Sequence, residues 1–300
     1  MTGVTGGPGA EDGWLLRRGT GEPVTLYAHG FGGSITDTRP FARGIDGSSA
    51  FLHFRGHGGR PSPGPRWDYA GLAAELDEAL IRAGATRALG VSMGAGALAR
   101  LLAGRAPAMP SRAAEAPSGP AAANPPGAGE LAGAPPDGAA SASKDGAGRL
   151  QKAALVLPAV LDRPSEAARR RGDVLRAAVE RGDAPGLAEL LLEQEPEEVR
   201  ANPQARAWIE ARASALVGTD QRDGLSLLQE AALPDREALR AVDIPVLVLT
   251  HEDDPAHPVD VARAYAEAIP GAELHILPPG SILWLGRDRI RDILTGFFND

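Results

Sequence analysis

The sequence predicts an α/β protein: a mostly parallel sheet covered on both faces by helices, with a helical cap inserted late in the chain. Three observations carry this reading. Short, continuously apolar runs alternate with helical patterns, as in a parallel sheet buried on both sides. Two of the runs end in glycine-rich turns, and one of these opens directly into a helix. A long helical stretch then interrupts the alternation before the last strands resume.

The elements read in order as follows. Val24 to Ala28 is a strand ending at Gly30, and Ala50 to Phe54 is a second strand ending before Gly56. Tyr69 to Ala83 is a helix. Leu72, Leu76 and Leu80 share one face, Asp68 can cap it and Gly84 stops it. Ala88 to Val91 is a strand running into the helix Met93 to Leu102. Further strands are Ala153 to Leu157, Val246 to Thr250 and Glu273 to Leu277. Helices follow at Pro258 to Ala268 and Asp288 to Phe298.

Two stretches stand outside the alternation. From Arg105 to Gly148, 34 of 44 residues are Ala, Gly, Pro or Ser, and Met109 and Leu131 are the only large apolar side chains. Such a segment cannot bury enough surface to offset its ordering entropy, so it is expected to be a disordered insertion. Residues 1–13 are expected to be a disordered leader. The folded core is then 14–104, 149–161 and 241–300. From 162 to 240 the pattern is helical: Val174 to Arg181, Gly186 to Gln194, Ala205 to Leu216 and Leu225 to Ala232. A cap is favoured over extra flanking helices, because ligands of open α/β sheets bind beyond the carboxyl ends of the strands. Its Leu187, Leu190, Leu191, Leu192 and Trp208 suggest a hydrophobic pocket.

Composition narrows the function classes. There are no Cys residues among 300, which removes disulfides, thiolate metal sites and a cysteine nucleophile. The formal charge is −8, and aromatics are 4%. Neither favours nucleic acid or an anionic membrane as partner. Only Lys144 and Lys152 are lysines among 31 basic residues, a bias of composition rather than function. With no apolar run near the roughly 20 residues of a span and no signal-like N-terminus, a cytoplasmic location is expected. The expected partner is a small-molecule substrate, and the oligomeric state is open.

The sharpest motif is Gly90-Val91-Ser92-Met93-Gly94. It follows a strand and opens a helix, the context of a nucleophile elbow. Flanking side chains would clash in so tight a turn, hence the two glycines. The second motif is His29-Gly30-Phe31-Gly32-Gly33-Ser34, at the end of the Val24 strand. Acyl transfer needs backbone N–H donors aimed at a developing oxyanion. Phe31 and Met93 are predicted to supply them. His29 is read as orienting this turn. With Gly30, His57 and Trp284 it is also placed at the substrate.

No cofactor or metal is expected. His53 and His57 straddle a strand end rather than one helix face. The glycines at Gly30, Gly32 and Gly33 lack a following GK[ST], and Gly94-Ala95-Gly96 is explained by the elbow.

Taken together, HGFGGS, FRGHGGR, GVSMGAG and VLTHEDDPAHPV resemble the α/β-hydrolase superfamily in order and spacing, over nearly the whole chain outside the leader and insertion. The resemblance implies an eight-stranded, mostly parallel sheet, a helical cap before the last strands, and a Ser–Asp–His triad. Ser92 matches the nucleophile. Asp254 matches the acid, with Pro258 four residues on, although Glu252 and Asp253 are adjacent.

The third member departs from the pattern. The family's His follows the last strand, but here Gly280 is followed by Ser281, and no His occurs after His275. A Ser is no base near neutral pH. Of the six His, His257 is the best substitute, because its loop should face Ser92. His275 is a weaker one, and for both a plain loop or strand residue without a catalytic role is the favoured reading. Two functions follow. One is a serine hydrolase of an ester or related acyl compound through Ser92. The other is a catalytically weakened relative that binds a small apolar ligand under its cap.

Overall fold

Residues 13–105 and 149–300 are described by a computed structural model. The expected leader and insertion lie outside the described residues, apart from Gly13 and Arg105. Arg105 is not insertion but the last residue of a helix.

The described residues form one seven-stranded sheet in the order β1-β3-β2-β4-β5-β6-β7. The strands are β1 (Leu15–Arg18), β2 (Val24–Ala28), β3 (Ser48–Leu52), β4 (Arg87–Val91), β5 (Lys152–Val156), β6 (Val246–His251) and β7 (Glu273–Leu277). All pairings are parallel except β1 with β3. The eight strands expected from the resemblance are therefore seven among these residues. One of them, β1, carries no sequence signal: its LLRR is half exposed on an antiparallel edge. β3 starts two residues earlier than expected and stops at Leu52. His53 and Phe54 leave the ladder, and the His53 N–H turns to the Trp14 carbonyl.

The continuously apolar strands are explained by two cores. In β2, Val24, Leu26 and Ala28 face one side, and Tyr27 faces the other. In β5, Ala153 and Leu155 oppose Ala154 and Val156 in the same way. After β2 the chain makes the short helix α1 (Ile35–Thr38). Helix α2 (Tyr69–Ala83) follows β3. The Asp68 side chain accepts from the Gly71 N–H at its start, and Gly84, at φ 62°, ends it in the left-handed conformation. Helix α3 (Met93–Arg105) leaves β4. With α8 (Val259–Ala268), α2 and α3 cover the Leu26/Leu155 face. Helix α9 (Arg287–Asn299) covers the other face with Ile290, Leu294 and Phe298.

Between β5 and β6 the chain makes α4 (Glu166–Glu180), α5 (Ala184–Leu192), α6 (Glu197–Arg200) and α7 (Pro203–Gly218). These pack on one another through Leu175, Leu187, Leu192, Ile209 and Leu216. The helix expected over Leu225 to Ala232 is instead the end of a 3-10 helix, Asp220–Gln229. The tighter winding brings Gly224 against the Phe31 and Trp67 rings, where a Cβ would lie within 2.4–2.7 Å of them. Among the described residues no helix is long and apolar enough to cross a membrane.

Leu155 has no exposed surface and sits in the middle of the sheet. Leu155→Ala is expected to destabilise the protein by about 2–5 kcal/mol. The check is urea unfolding: the midpoint should fall at unchanged slope.

Candidate functional site

The site forms where the carboxyl ends of β2, β4, β5 and β6 meet the helical segment. It begins with Ser92 at the β4–α3 junction. Ser92 sits at φ 52°, a left-handed conformation that a side chain rarely adopts. The neighbouring backbone holds it there. Its N–H donates to the Val156 carbonyl at 2.9 Å, and its carbonyl accepts from the Gly96 N–H at 3.0 Å. Both elbow glycines are required by space. A Cβ on Gly90 would lie 2.3 Å from the Gly94 carbonyl oxygen, and one on Gly94 would lie 2.5 Å from that of Ala28.

The second part is the turn between β6 and α8. One oxygen of the Asp254 carboxylate accepts the N–H groups of Ala256 (2.8 Å) and His257 (3.1 Å). This is the Asx turn that a short carboxylate side chain makes with its own backbone. The other oxygen lies 2.8 Å from His257 Nδ1, and His257 Nε2 lies 2.9 Å from Ser92 Oγ. With Nδ1–H donating to Asp254, Nε2 carries the lone pair that accepts the Ser92 hydroxyl proton. Burial alone would raise the Asp254 carboxyl. The His257 charge and ring N–H, together with the two backbone donors, outweigh it and hold the group at about 2.

The third part is the glycine turn after β2. Its own bond runs from the Gly33 N–H to the Gly30 carbonyl, which leaves the Phe31 N–H out of the turn's ladder. The Met93 N–H, first in α3, has no acceptor within its helix. Gly30 approaches Ser92 so closely that a Cβ there would lie 3.3 Å from the Ser92 Cβ.

The two histidines expected at the substrate lie underneath this turn instead. His29 and His57 have no exposed surface. The His29 Nδ1–H donates to the Gly30 carbonyl at 2.8 Å, and its Nε2 accepts from the Phe54 N–H at 3.4 Å. The His57 Nδ1–H donates to the Arg55 carbonyl at 3.2 Å, and its Nε2 accepts the Gly32 N–H at 3.0 Å. Their ring nitrogens are spent on backbone, so they brace the turn. Trp284 also departs from its expected place: its ring meets Trp208 of α7 edge-on, centroids 6.2 Å apart, so it joins the loop after β7 to the helical segment.

A cavity of about 840 Å³ opens beside Ser92. Gly30, Phe31, Ser92, Asp254 and His257 line its floor; Leu187, Leu191, Trp208 and Ile209 line its roof. The expected Leu190 and Leu192 pack among the helices themselves. Polar residues outside the expected site also line it: Asp37, Arg171, Glu195 and Arg212. Arg212 donates to the Phe31 carbonyl, and Arg171 to the carbonyls of Pro255 and Ala256. Burial raises the Glu195 and Asp37 carboxyls. Asp37 is marked locally by its capping-box partner Ser34, whose N–H its carboxylate accepts at 2.7 Å, whereas Arg171 and Arg212 carry no local signal because their carbonyl partners lie far away along the chain.

His275 pairs with Glu273 on β7, away from Ser92, and Ser281 is held in a tight turn by mutual backbone bonds with Leu285. No group of three or more His, Cys, Asp or Glu among the described residues is arranged to hold a metal ion.

Comparison with solved structures places this arrangement in a known fold. An alpha/beta hydrolase enzyme from a Medee basin deep-sea metagenome library superposes with a TM-score of 0.69 at 13% identity, covering 96% of this chain and 94% of that one. The enol-lactonase from Burkholderia xenovorans gives 0.66 at 20% identity, covering 95% and 96%. A bromoperoxidase from Bacillus anthracis gives 0.68 at 17% identity, covering 95% of each. No protein-family model and no curated protein matches the sequence. The chain has the α/β-hydrolase fold.

The bracing histidines make the turn sensitive to acid. Burial, the largest influence, holds His57 at about 4 against an ordinary 6.5, and pushes His29 well below its ordinary value too. Folding therefore favours their neutral forms. Their contribution is complete above pH 6.5 and is lost as pH falls from there toward 4, because the unfolded chain binds the extra protons. Each such group steepens the loss by up to about 1.4 kcal/mol per pH unit. Urea unfolding at pH 7, 5.5 and 4.5 should show a shallower slope in His57→Gln than in wild type. Equal slopes would count against the bracing role.

Proposed function

We propose that this chain is a serine hydrolase that cleaves an ester or a related acyl compound through Ser92. The observation that carries the reading is the unbroken chain of polar contacts Ser92 Oγ–His257 Nε2–Asp254, at 2.9 and 2.8 Å. A nucleophile, a base in reach of its proton and a carboxylate orienting that base are the parts nucleophilic acyl transfer needs.

Each residue has a definite task. Ser92 Oγ attacks the acyl carbon while His257 Nε2 takes its proton. Charge then builds on the former carbonyl oxygen. The Phe31 and Met93 N–H groups, free of acceptors in their own turn and helix, bind it. His257 returns the proton to the departing alcohol, leaving an acyl group on Ser92. Water enters by the same route: His257 deprotonates it, the second tetrahedral adduct collapses, and Ser92 regains its proton. Asp254 stays ionised throughout, since its carboxyl is held at about 2. It fixes the ring in the tautomer with Nδ1–H and stabilises the transient imidazolium.

Ser281, in the position that the resemblance reserves for His, is not needed for this scheme. His257 approaches Ser92 from the loop after β6 rather than the loop after β7. The rival reading, an inactive relative that binds a ligand, drew its support from the missing base at 281. A histidine nitrogen 2.9 Å from Ser92 Oγ supports the hydrolase reading over it.

The helical segment acts as a cap over the site. Its apolar roof favours an acyl compound with a hydrocarbon body, and about 840 Å³ admits a small molecule rather than a polymer. An esterase and an enol-lactonase stand among the structures with this fold, and both names fit acyl chemistry.

A fluorophosphonate probe is expected to label folded wild type at Ser92, and Ser92→Ala to escape labelling. His257→Ala should lower kcat/KM on short aryl esters by about 10²–10⁴-fold. Ser281→His should add nothing to wild-type activity. Absence of labelling and of esterase activity in folded wild type would overturn the reading. A large gain from Ser281→His would mean that His257 does not serve as the base.

A further inference from the structure

We propose that Arg171, on α4, is a positioning residue for His257: its guanidinium grips the turn that carries the base, so the cap completes the catalytic geometry. The inference rests on the reading of His257 as the base.

Much of that turn's polar capacity is already engaged. The Asp254 carboxylate takes the N–H groups of Ala256 and His257. Pro255 has no N–H. The His257 carbonyl accepts the Thr250 hydroxyl at 3.2 Å, which ties the turn to β6. The carbonyls of Pro255 and Ala256 are left, and these are the two that Arg171 holds, one with each terminal nitrogen. The turn is thus fastened from inside by Asp254, from the sheet by Thr250 and from the cap by Arg171.

Arg171 stands in a run of three arginines, and its neighbours behave differently. Arg170 pairs with Glu166 along the exposed face of α4 at 2.6 Å. Arg171 turns toward the core, is half-buried, lines the cavity and interacts electrostatically with Asp254. Among the described residues it has no carboxylate within 4 Å. Its charge is spent on two carbonyls and on the field of the catalytic acid. A planar fork with paired donors suits two adjacent carbonyls, and the single ammonium of lysine does not. A misplacement of about 1 Å between base and nucleophile costs about 10²-fold in rate, so a contact that fixes this turn can act on catalysis without touching substrate.

The test combines kinetics with a signal that does not need activity. In Arg171→Gln, kcat on short aryl esters is expected to fall about 10–100-fold while KM stays within about 3-fold. Arg171→Lys should be intermediate, and it also serves if the glutamine variant folds poorly. In parallel, proton NMR should show the downfield resonance of the His257 Nδ1–H bridging to Asp254, assigned by its loss in His257→Gln. That proton should broaden or move upfield in the Arg171 variants.

A fall in kcat together with the altered proton supports the proposal. An unaltered proton overturns it, even if kcat falls, because Arg171 would then act on substrate. An altered proton with unchanged kcat in active enzyme also overturns it. If wild type is inactive and unlabelled, the hydrolase reading fails by itself, and the proton alone decides whether Arg171 sets the His257 geometry.

Discussion

The Asp254 carboxylate is the constraint on which the site depends. One oxygen folds the loop by taking two of its N–H groups, and the other aims the His257 ring. A single ionised group therefore sets both the backbone that carries His257 and the tautomer of its ring. The two tasks reinforce each other. Every donor that closes the turn also stabilises the carboxylate, which is why the group stays charged despite its burial. His257 is three residues from its acid, so the pair is a local structure that forms with the turn. Only the Ser92 contact has to be supplied by the fold. The sheet order supplies it, because β5 alone separates the strands that end at Ser92 and at Asp254.

The glycine turn and the elbow show the same economy from the opposite direction. There the backbone itself is the functional group, so side chains have to be absent or kept underneath. Gly90, Gly94 and Gly30 remove atoms that would block the approach of β2 to α3. His29 and His57 then fill the space below and pair with carbonyl and N–H groups that the turn leaves over. Neutral imidazole suits this place because it donates on one side and accepts on the other. Burial in a cluster with His53 keeps it neutral.

Legibility in the sequence follows the range of the interactions. The elbow, the helix caps at Asp68 and Gly84, and six of the strands are set by spacing within a few residues, and each appears in the structure close to its expected bounds. The Asp254–His257 pair is legible only in part: Asp254 stands where the resemblance puts the acid, while His257 is the best substitute base by the position of its loop, with a plain loop histidine the favoured reading. β1 is not legible, since LLRR has no alternation and is a strand only because β3 offers it a partner. His57 is expected at the substrate because its loop lies over the same sheet edge. A place at that edge says nothing about which side of a turn a ring occupies. Arg171 and Arg212 could not be found at all, as their carbonyl partners lie 84 or more residues away.

On the proposed reading the base stands on the loop after β6 rather than the loop after β7, and this has a structural consequence. The position at 281 no longer has to reach Ser92, and the chain there closes on itself through paired bonds between Ser281 and Leu285. His251 fills the space beside it. Its Nδ1–H donates to the Pro278 carbonyl at 3.0 Å, and its ring lies 3.0 Å from where a Cβ on Gly280 would be. That loop then meets the helical segment through Trp284 and Trp208. The loop that would otherwise deliver a base thus supports the roof of the cavity, and the helices of that roof reach back to the turn that carries the base. Asp254, His257 and the roof form one connected unit that includes α4, and the elbow serine meets it at a single hydrogen bond.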